Sequence, residues 1–323
     1  MMVGIPILQL ILFGYAINAD PKHLPAAVIQ GDRGPYGRSL LMALRNSAYF
    51  DFVTVASGEE AGRSLLQRGE VQFLIQIPED FTRKLLRGER PVVLVEADAT
   101  DPSATGNAFG ALRGLVETAF QNDLKGPLAA LSASPAPVEL RVHAHYNPEN
   151  ITQYNIVPGL MGVVLTLTMI LITGLAITRE QERGTMENLL AMPVQPAEVM
   201  LGKMLPYIAV GYVQVAIIVV AARYLFAVPL AGSLILLSVA AIVFIAANLA
   251  VGFTFSTLST NQLQAMQMST FFFLPSLLLS GFMFPFRGMP QWAQVIGEAL
   301  PLTHFLRIVR GILLKGNGWV EIW

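Results

Sequence analysis

The residues best suited to specific chemistry lie in one stretch, residues 179–203, which we call the charged island. It separates two long uncharged runs, and its charged members are Arg179, Glu180, Glu182, Arg183, Glu187, Glu198 and Lys203. Met186, Leu189 and Leu190 recur at i, i+3 and i+4, which predicts a short amphipathic helix that stops at Pro193. The chemistry that such a helix offers is recognition, by docking into a groove on a partner protein. A solvated loop between two helices is the alternative, and the spacing alone leaves it open.

Catalytic and metal-binding patterns are sparse elsewhere in the sequence. His143 and His145 alternate along a predicted strand and share one face, so they could ligate a metal ion together. Such a pair without a nearby carboxylate is more often structural, and we therefore predict no metal site. The glycine pair in GDRG (31–34) is not part of a P-loop pattern, and neither HExxH nor GxSxG occurs. Because there is also no cysteine for thiolate chemistry, we expect a protein that is not an enzyme.

The composition indicates a protein embedded in lipid. Hydrophobic residues make up 54% of the 323 residues and charged residues only 13%, with a mean hydropathy of +0.55. Soluble domains carry about 25% charged residues, so roughly half of the usual solvating side chains are present. The net charge of −1 gives no reason to expect nucleic-acid binding.

Five stretches are long and apolar enough to cross a membrane, since a span of about 30 Å needs roughly 20 residues. The predicted spans cover residues 1–19, 155–178, 204–227, 232–255 and 268–286. The first stretch is too long for a signal peptide and has no basic residue before it. Apart from Arg223 near an end of the third span, the spans hold no ionisable residue. Energy for any transport is therefore expected to enter from outside the bilayer.

Residues 20–150 alternate strand-like and helical patterns and predict an α/β domain between the first two spans. Stretches rich in Val, Ile and Phe predict strands at residues 24–30, 50–56, 71–77 and 91–97. Stretches with apolar residues at helical spacing predict helices at residues 36–46, 58–69, 78–89 and about 102–131. A last strand carries the two histidines. Because strands and helices alternate, the sheet is expected to be largely parallel.

The charged island resembles the hallmark of ABC-2-type transporter permeases, in the multidrug-efflux-like subgroup with a large extracytoplasmic domain. The matching positions are Arg179-Glu180, Glu182, Gly184-Thr185, Glu187, Leu189-Leu190, Pro193, Glu198 and Gly202-Lys203. Residues 146–165 and 280–316 match two further motifs of this family in the same order. The resemblance thus extends over nearly the whole chain.

The resemblance implies a multi-pass, α-helical protein of the bacterial inner membrane with an inserted extracytoplasmic α/β domain. Six spans are expected in full-length members and five are present here, so both ends of the chain look cut. The charged island would be a cytoplasmic coupling-helix loop. Residues 287–316 would form extracytoplasmic re-entrant helices, and residues 317–323 would begin the sixth span.

The resemblance also implies the partners. Family members work as dimers, so a second permease copy or homologue is expected, together with a separate ABC ATP-binding subunit. ATP would be bound by that subunit, and this chain would bind no cofactor of its own. Membrane lipid surrounds the spans, and the use of a periplasmic adaptor protein is left open.

The function implied is that of the membrane-spanning permease subunit of an ABC exporter, powered by ATP hydrolysed on another subunit. Glu180, Glu182, Arg183 and Glu187 would make polar contacts with that subunit. Leu189 and Leu190 would seat the helix, and Gly184 with Thr185 would begin it. The rival hypothesis is a non-transporting receptor or scaffold whose α/β domain binds a partner.

Substrate would pass between two permeases along apolar side chains of the second and fifth spans. The candidates in the fifth span are Phe271, Phe272, Phe273 and Met283, which offer adaptable apolar surface. Lining the core of a dimer is the alternative for these four residues. A neutral, apolar pathway leaves the substrate open.

Overall fold

The computed structural model of the protein describes residues 22–120, 123–124, 137–149, 151–185 and 195–322. The chain divides into two compact units, an α/β unit within residues 22–152 and a helical unit within residues 153–319. The predicted first span, 1–19, lies outside the described residues. So do Met186, Glu187, Leu189, Leu190 and Pro193 of the charged island.

The α/β unit is built on one five-stranded sheet with the order β2-β1-β3-β4-β5. The strands are β1 (Leu24–Gln30), β2 (Phe50–Val55), β3 (Phe73–Ile77), β4 (Val92–Asp98) and β5 (Glu139–His145). All neighbouring strands pair in parallel except β3 and β4, which are antiparallel. The predicted strands and the largely parallel sheet are confirmed, with this one reversed pair as the exception.

Helices cover the sheet and bury its apolar side chains. They are α1 (Pro35–Asn46), α2 (Glu59–Arg68), α3 (Phe81–Leu86) and α4 (Pro102–Thr118). Phe73 lies at the centre of the core, with its ring edge-on to Phe50 at 5.2 Å and to Phe109 at 6.0 Å between centroids. Such edge-to-face pairs suit the charge distribution of aromatic rings.

The predicted extent of the last of these helices, to about residue 131, was wrong. The helix α4 ends at Thr118, and a turn follows in which the carbonyl of Phe120 accepts the N–H groups of Asp123 and Leu124. Phe120 and Leu124 are both buried in the core. Both side chains continue the buried series of Leu112 and Val116 after the regular helix has ended.

The GDRG turn between β1 and α1 is held by a buried carboxylate. Asp32 accepts hydrogen bonds from the N–H of Gly34 at 2.6 Å and from the N–H of Thr82. Burial raises the pKa of Asp32, but hydrogen bonds from Thr82 and Gly34 outweigh it and leave that pKa below its ordinary value. The glycine pair therefore serves a turn whose Gly34 N–H is already occupied by Asp32.

In the described part of the helical unit, three helices are long and apolar enough to cross a membrane. They cover Thr152–Glu182, Glu198–Tyr224 and Leu234–Leu258, in agreement with the second, third and fourth predicted spans. A short break at Leu175 divides the first into α5 (Thr152–Gly174) and α6 (Ala176–Glu182). The other two lie within α7 (Pro196–Tyr224) and α8 (Leu234–Leu258).

The next helix, α9 (Gln262–Leu279), begins and ends earlier than the predicted span 268–286. Its start is set by Asn261, whose side chain accepts the N–H of Gln264 at 2.8 Å. Soon after its end, Gly281 adopts a φ of +84°, which favours glycine and reverses the chain. The polar residues Gln262 and Gln264 thus belong to the first turn of the helix.

The tail, residues 286–315, folds into short helices, and their predicted extracytoplasmic, re-entrant position stays a prediction. They are a 3₁₀ turn (Phe286–Gly288), α10 (Gln291–Glu298), α11 (Pro301–Arg310) and a π turn (Gly311–Lys315). Helix α11 packs on α8, where the rings of Phe305 and Phe244 stack with centroids 4.0 Å apart. Arg307 is neutralised by Glu298, with 2.6 Å between its Nη2 and the carboxylate. The tail's charges are therefore partly satisfied within the helical unit.

Candidate functional site

The charged island begins with a helix end that requires glycine. After α6, Gly184 adopts a φ of +70°. Its N–H binds the carbonyl of Gln181 at 3.2 Å, and the N–H of Thr185 binds the carbonyl of Glu180 at 3.1 Å. This is the hydrogen-bond pattern of a Schellman motif, in which a left-handed residue stops the helix and satisfies its last carbonyls.

Glu180 joins the two ends of the charged island. The hydroxyl of Thr185 donates to its carboxylate, and the Lys203 ammonium in α7 lies 3.5 Å from its other oxygen. Lys203 also donates to the carbonyl of Ala176 at 3.4 Å. The side chains of Glu180 and Lys203 are about two-thirds or more buried, so this pair is screened less than a surface pair. The N-terminal part of α7 is thereby tied to α6.

Glu182 reaches the start of α9. Its Oε1 accepts the backbone N–H of Gln262 at 2.7 Å, and its Oε2 accepts the Gln262 side-chain amide. A carboxylate at the N-terminus of a helix satisfies a free N–H and interacts well with the helix dipole. The charged island is therefore joined to the helix that carries three of the four predicted pathway residues, Phe271, Phe272 and Phe273.

The opposite end of α6 is held by α8. The Ser256 hydroxyl accepts the N–H of Ile177 at 2.9 Å and the N–H of Thr178 at 3.3 Å. These groups belong to the first turn of α6, where the break at Leu175 leaves N–H groups without helical acceptors. Both Thr178 and Ser256 are fully buried. α6 is thus anchored at one end to α8 and at the other to α9.

Two arginines of the island face outward. Arg179 and Arg183 are exposed, and among the described residues their side chains form no hydrogen bond or ion pair. Their i, i+4 spacing places them on one face of α6. These are the described island charges available to a partner, whereas Glu180 and Glu182 bind groups of their own chain.

The second half of the described island caps α7. Glu198 accepts the N–H of Gln195 at 2.9 Å through its carboxylate, which is half of a capping box. The predicted roles of Glu187, Leu189, Leu190 and Pro193 stay predictions, because these residues lie outside the described part of the chain.

A cavity of about 390 Å³ opens between α5, α6 and α7. Its lining combines apolar and polar residues: Leu171, Ile172, Leu175, Ala176, Arg179, Glu180, Lys203 and Tyr207. Sequence reasoning missed Tyr207, Ser256 and Gln262 as neighbours of the island. Ser256 and Gln262 lie in the uncharged polar stretch 256–264, between the predicted fourth and fifth spans.

The predicted pathway residues have different surroundings. Phe271 and Met283 are exposed, by 38% and 54%. Phe272 packs against Phe255, with 5.6 Å between ring centroids, and Phe273 is partly buried. Within the described chain, Phe271 and Met283 therefore present apolar surface, while Phe272 contributes to packing.

The expectation that the two histidines lack a carboxylate partner was wrong. Glu96 of β4 lies beside them, and the ligating atoms of Glu96, His143 and His145 are all within 4.8 Å of one another. Strand pairing between β4 and β5 brings these residues together although they are more than 40 positions apart. Among the described residues of the α/β unit, these three side chains are the group able to hold a metal ion.

Comparison with known proteins gives a consistent set of relatives. The family model described as ABC-2 family transporter protein matches residues 1–323. The Escherichia coli K12 protein named "Probable multidrug ABC transporter permease YbhS" is 29% identical over 318 residues, covering 98% of this chain and 83% of that protein. "Inner membrane transport permease YhhJ" of the same strain is 31% identical over 271 residues, covering 80% and 68%. "ABC transporter G family member 20" of Dictyostelium discoideum is 24% identical, covering 98% of this chain and 44% of that protein.

Proposed function

This chain belongs to the ABC-2 transporter family, and we propose that it is the membrane-spanning permease subunit of an ABC exporter. In this proposal a separate subunit hydrolyses the ATP. The permease names of the bacterial relatives support the transport role. The three long apolar helices support a membrane location.

The observation that carries the proposal is that hydrogen bonds join the two ends of α6 to two other helices, α8 and α9. Ser256 of α8 holds its first turn, and Glu182 at its last residue caps α9 through Gln262. Helix α6 is also continuous with the apolar helix α5 across the break at Leu175. A displacement of the charged island would therefore be passed to three helices at once.

The proposed mechanism uses this linkage. Closure of an ATP-binding dimer would move the island, and the attached helices would tilt with it. Such coupling requires the ATP-binding subunit to hold the island differently in its two states, since equal affinity for both would shift no equilibrium. The permease itself then contributes no catalytic residue and binds no ATP.

The island residues divide into two roles in this proposal. Arg179 and Arg183 are exposed and face the ATP-binding subunit, together with the predicted contacts of Glu187, Leu189 and Leu190. Glu180 and Glu182 hold the island in shape, because both already bind groups of their own chain. Gly184 provides the reversal after α6.

The proposed topology follows the family resemblance. The charged island lies in the cytoplasm, the α/β unit lies outside it, and five spans of this chain cross a bacterial inner membrane. Two permease copies or homologues form a dimer, and substrate leaves the cell between them along Phe271 and Met283. Their exposed apolar surface supports this assignment, and the alternative is contact with the second permease.

The test is co-purification in detergent of the chain with a co-expressed candidate ABC ATP-binding subunit. The informative variant reverses both exposed charges, Arg179→Glu with Arg183→Glu. The matched control reverses two exposed arginines outside the island, Arg113→Glu with Arg223→Glu. Both double variants change the net charge equally, so a general electrostatic effect would appear in both.

Loss of the ATP-binding subunit from the island variant alone supports the proposal. Retention by both variants, or equal loss from both, would show that the island is not the decisive contact. If the unmodified chain binds no such subunit and restores no ATP-dependent export, the receptor or scaffold hypothesis takes precedence.

A further inference from the structure

Three metal-ligand side chains converge at the open edge of the sheet in the α/β unit. In the parallel pairing of β4 with β5, Glu96 is the register partner of His143, and Asp98 is the partner of His145. Register partners in neighbouring strands point to the same face of a sheet, as do residues two apart. The rings of His143 and His145 lie 4.5 Å apart between centroids, side by side above Glu96.

The three side chains of this cluster differ in how far they are buried. The Glu96 side chain is fully buried, that of His145 is 25% exposed, and His143 is exposed. The cluster is thus closed on the side of the carboxylate and open on the side of His143. A metal ion could enter from solvent and keep one coordination position for water.

One buried atom of the three proposed ligands, Nε2 of His145, lacks a well-formed hydrogen bond. The Nε2 atom of His145 is buried and has no hydrogen-bond partner among the described residues, although Oε2 of Glu96 lies 3.4 Å away. Buried polar atoms are nearly always hydrogen-bonded, so an imidazole nitrogen that meets a carboxylate only in a long contact requires an explanation. A shared cation would satisfy both atoms.

We propose that Glu96, His143 and His145 form a binding site for a divalent transition-metal ion, with Zn²⁺ as the ion that this ligand set fits. Two imidazoles and one carboxylate, with a fourth position for water, form a known zinc ligand set. Imidazole ligands favour zinc and its neighbours over Mg²⁺ or Ca²⁺, which prefer oxygen. This inference is independent of the transport role.

The geometry needs only a small adjustment. Ligands bound to zinc at about 2.1 Å in a tetrahedron lie roughly 3.4 Å apart. The three ligating atoms here are within 4.8 Å of one another, and the pair formed by Glu96 and His145 is already at 3.4 Å. The exposed side chain of His143 is the one free to rotate inward.

Arg63 of α2 acts as a positioning residue for the carboxylate. Its Nη2 donates to Oε1 of Glu96 at 3.0 Å, and its Nε has a longer contact of 3.3 Å with Oε2. This ion pair favours the ionised carboxylate, which is the form that binds a metal ion. Asp98 adds a second carboxylate to this face, and the nearby Arg141 is paired with Glu139.

The test measures zinc bound by the full chain, purified in detergent without a histidine tag. Samples are dialysed against Zn²⁺ with excess Mg²⁺, and the metal content is determined by mass spectrometry. We expect about one zinc per chain. His143→Ala should weaken zinc affinity more than about tenfold, and because this side chain is exposed, its removal should leave the fold intact.

His304→Ala is the matched control, since His304 is also exposed and also lies beside a glutamate, Glu298. It should retain the zinc. Visible absorption of the Co²⁺-substituted chain gives a second readout, in which tetrahedral bands should disappear in His143→Ala and persist in His304→Ala. Equal zinc content in all three proteins, or no zinc in the unmodified chain, would overturn the proposal.

Discussion

Glu182 accepts the backbone N–H of Gln262 at 2.7 Å, which joins the last residue of α6 to the first residue of α9 across 80 positions of sequence. A residue of the charged island thus serves as the cap of another helix. The contact gives the island a mechanical connection to the apolar helices, in addition to the chain itself. Its removal should separate partner binding from transport.

Replacing Glu182 with alanine should reduce ATP-driven transport while the ATP-binding subunit still co-purifies. The physical reason is that α9 loses its link to the island, whereas Arg179 and Arg183 remain exposed. Glu182→Gln is the matched variant, because its side-chain oxygen can still accept the Gln262 N–H. Transport should therefore recover in large part. Equal transport by the alanine variant and the unmodified chain would show that transport does not require the contact between Glu182 and Gln262.

Gly184→Ala should lower stability by about 1 kcal/mol, because alanine resists a φ of +70°. Gly202→Ala is the control within the same island. Gly202 lies inside α7, and a Cβ at either position meets open space among the described residues. The control should be neutral or stabilising by roughly 0.5–1 kcal/mol, since alanine is the better helix former. The thermal midpoints of both variants are measured in detergent. If both midpoints shift in the same direction, the positive φ at residue 184 does not strain alanine.

Ser256→Ala should destabilise the start of α6 by about 1–3 kcal/mol, because two buried N–H groups lose their acceptor. Hydrogen exchange provides a local readout, and the amides of Ile177 and Thr178 should exchange faster. Thr257→Ala is the control, since that exposed hydroxyl bonds only to the carbonyl of Thr254 in its own helix. Unchanged exchange at Ile177 and Thr178 in the Ser256 variant would show that the Ser256 hydroxyl does not stabilise the start of α6.

Asp32→Asn should destabilise the α/β unit at neutral pH by about 1–3 kcal/mol, because an amide can accept only one of the two bound N–H groups. The folded pKa of Asp32 lies below its ordinary value of 3.8, so its ionised form contributes stability above that value. This contribution is lost as the pH falls from about 4 through the folded pKa.

The measurement for Asp32 is hydrogen exchange of the α/β unit at a series of pH values, corrected for intrinsic exchange rates. The difference between the unmodified chain and Asp32→Asn should be full at pH 7 and should shrink below about pH 4. Asp51→Asn, at an exposed carboxylate of β2, is the control and should track the unmodified chain. A difference that stays constant down to low pH would disprove the linkage.

Local patterns in the sequence were sufficient for the elements themselves. Strand β1 lies at the predicted residues, and the second, third and fourth spans coincide with described apolar helices. These features depend on periodicity and on the cost of burying charge in lipid, both of which are properties of short windows. The motif of the charged island likewise pointed to the family without any structure.

The tertiary structure alone decided which distant groups meet. The antiparallel pairing of β3 with β4, the approach of Glu96 to His145, and the cap of Gln262 by Glu182 all join residues from separate elements. None of these has a local signature, because each depends on how whole elements pack, and packing is a sum over many side chains. Composition and spacing thus indicated apolar helices long enough to span a membrane and an α/β unit, and the resemblance of the charged island indicated the ABC-2 transporter family. Packing determined which island charges are engaged internally, which are exposed, and where a carboxylate joins two histidines.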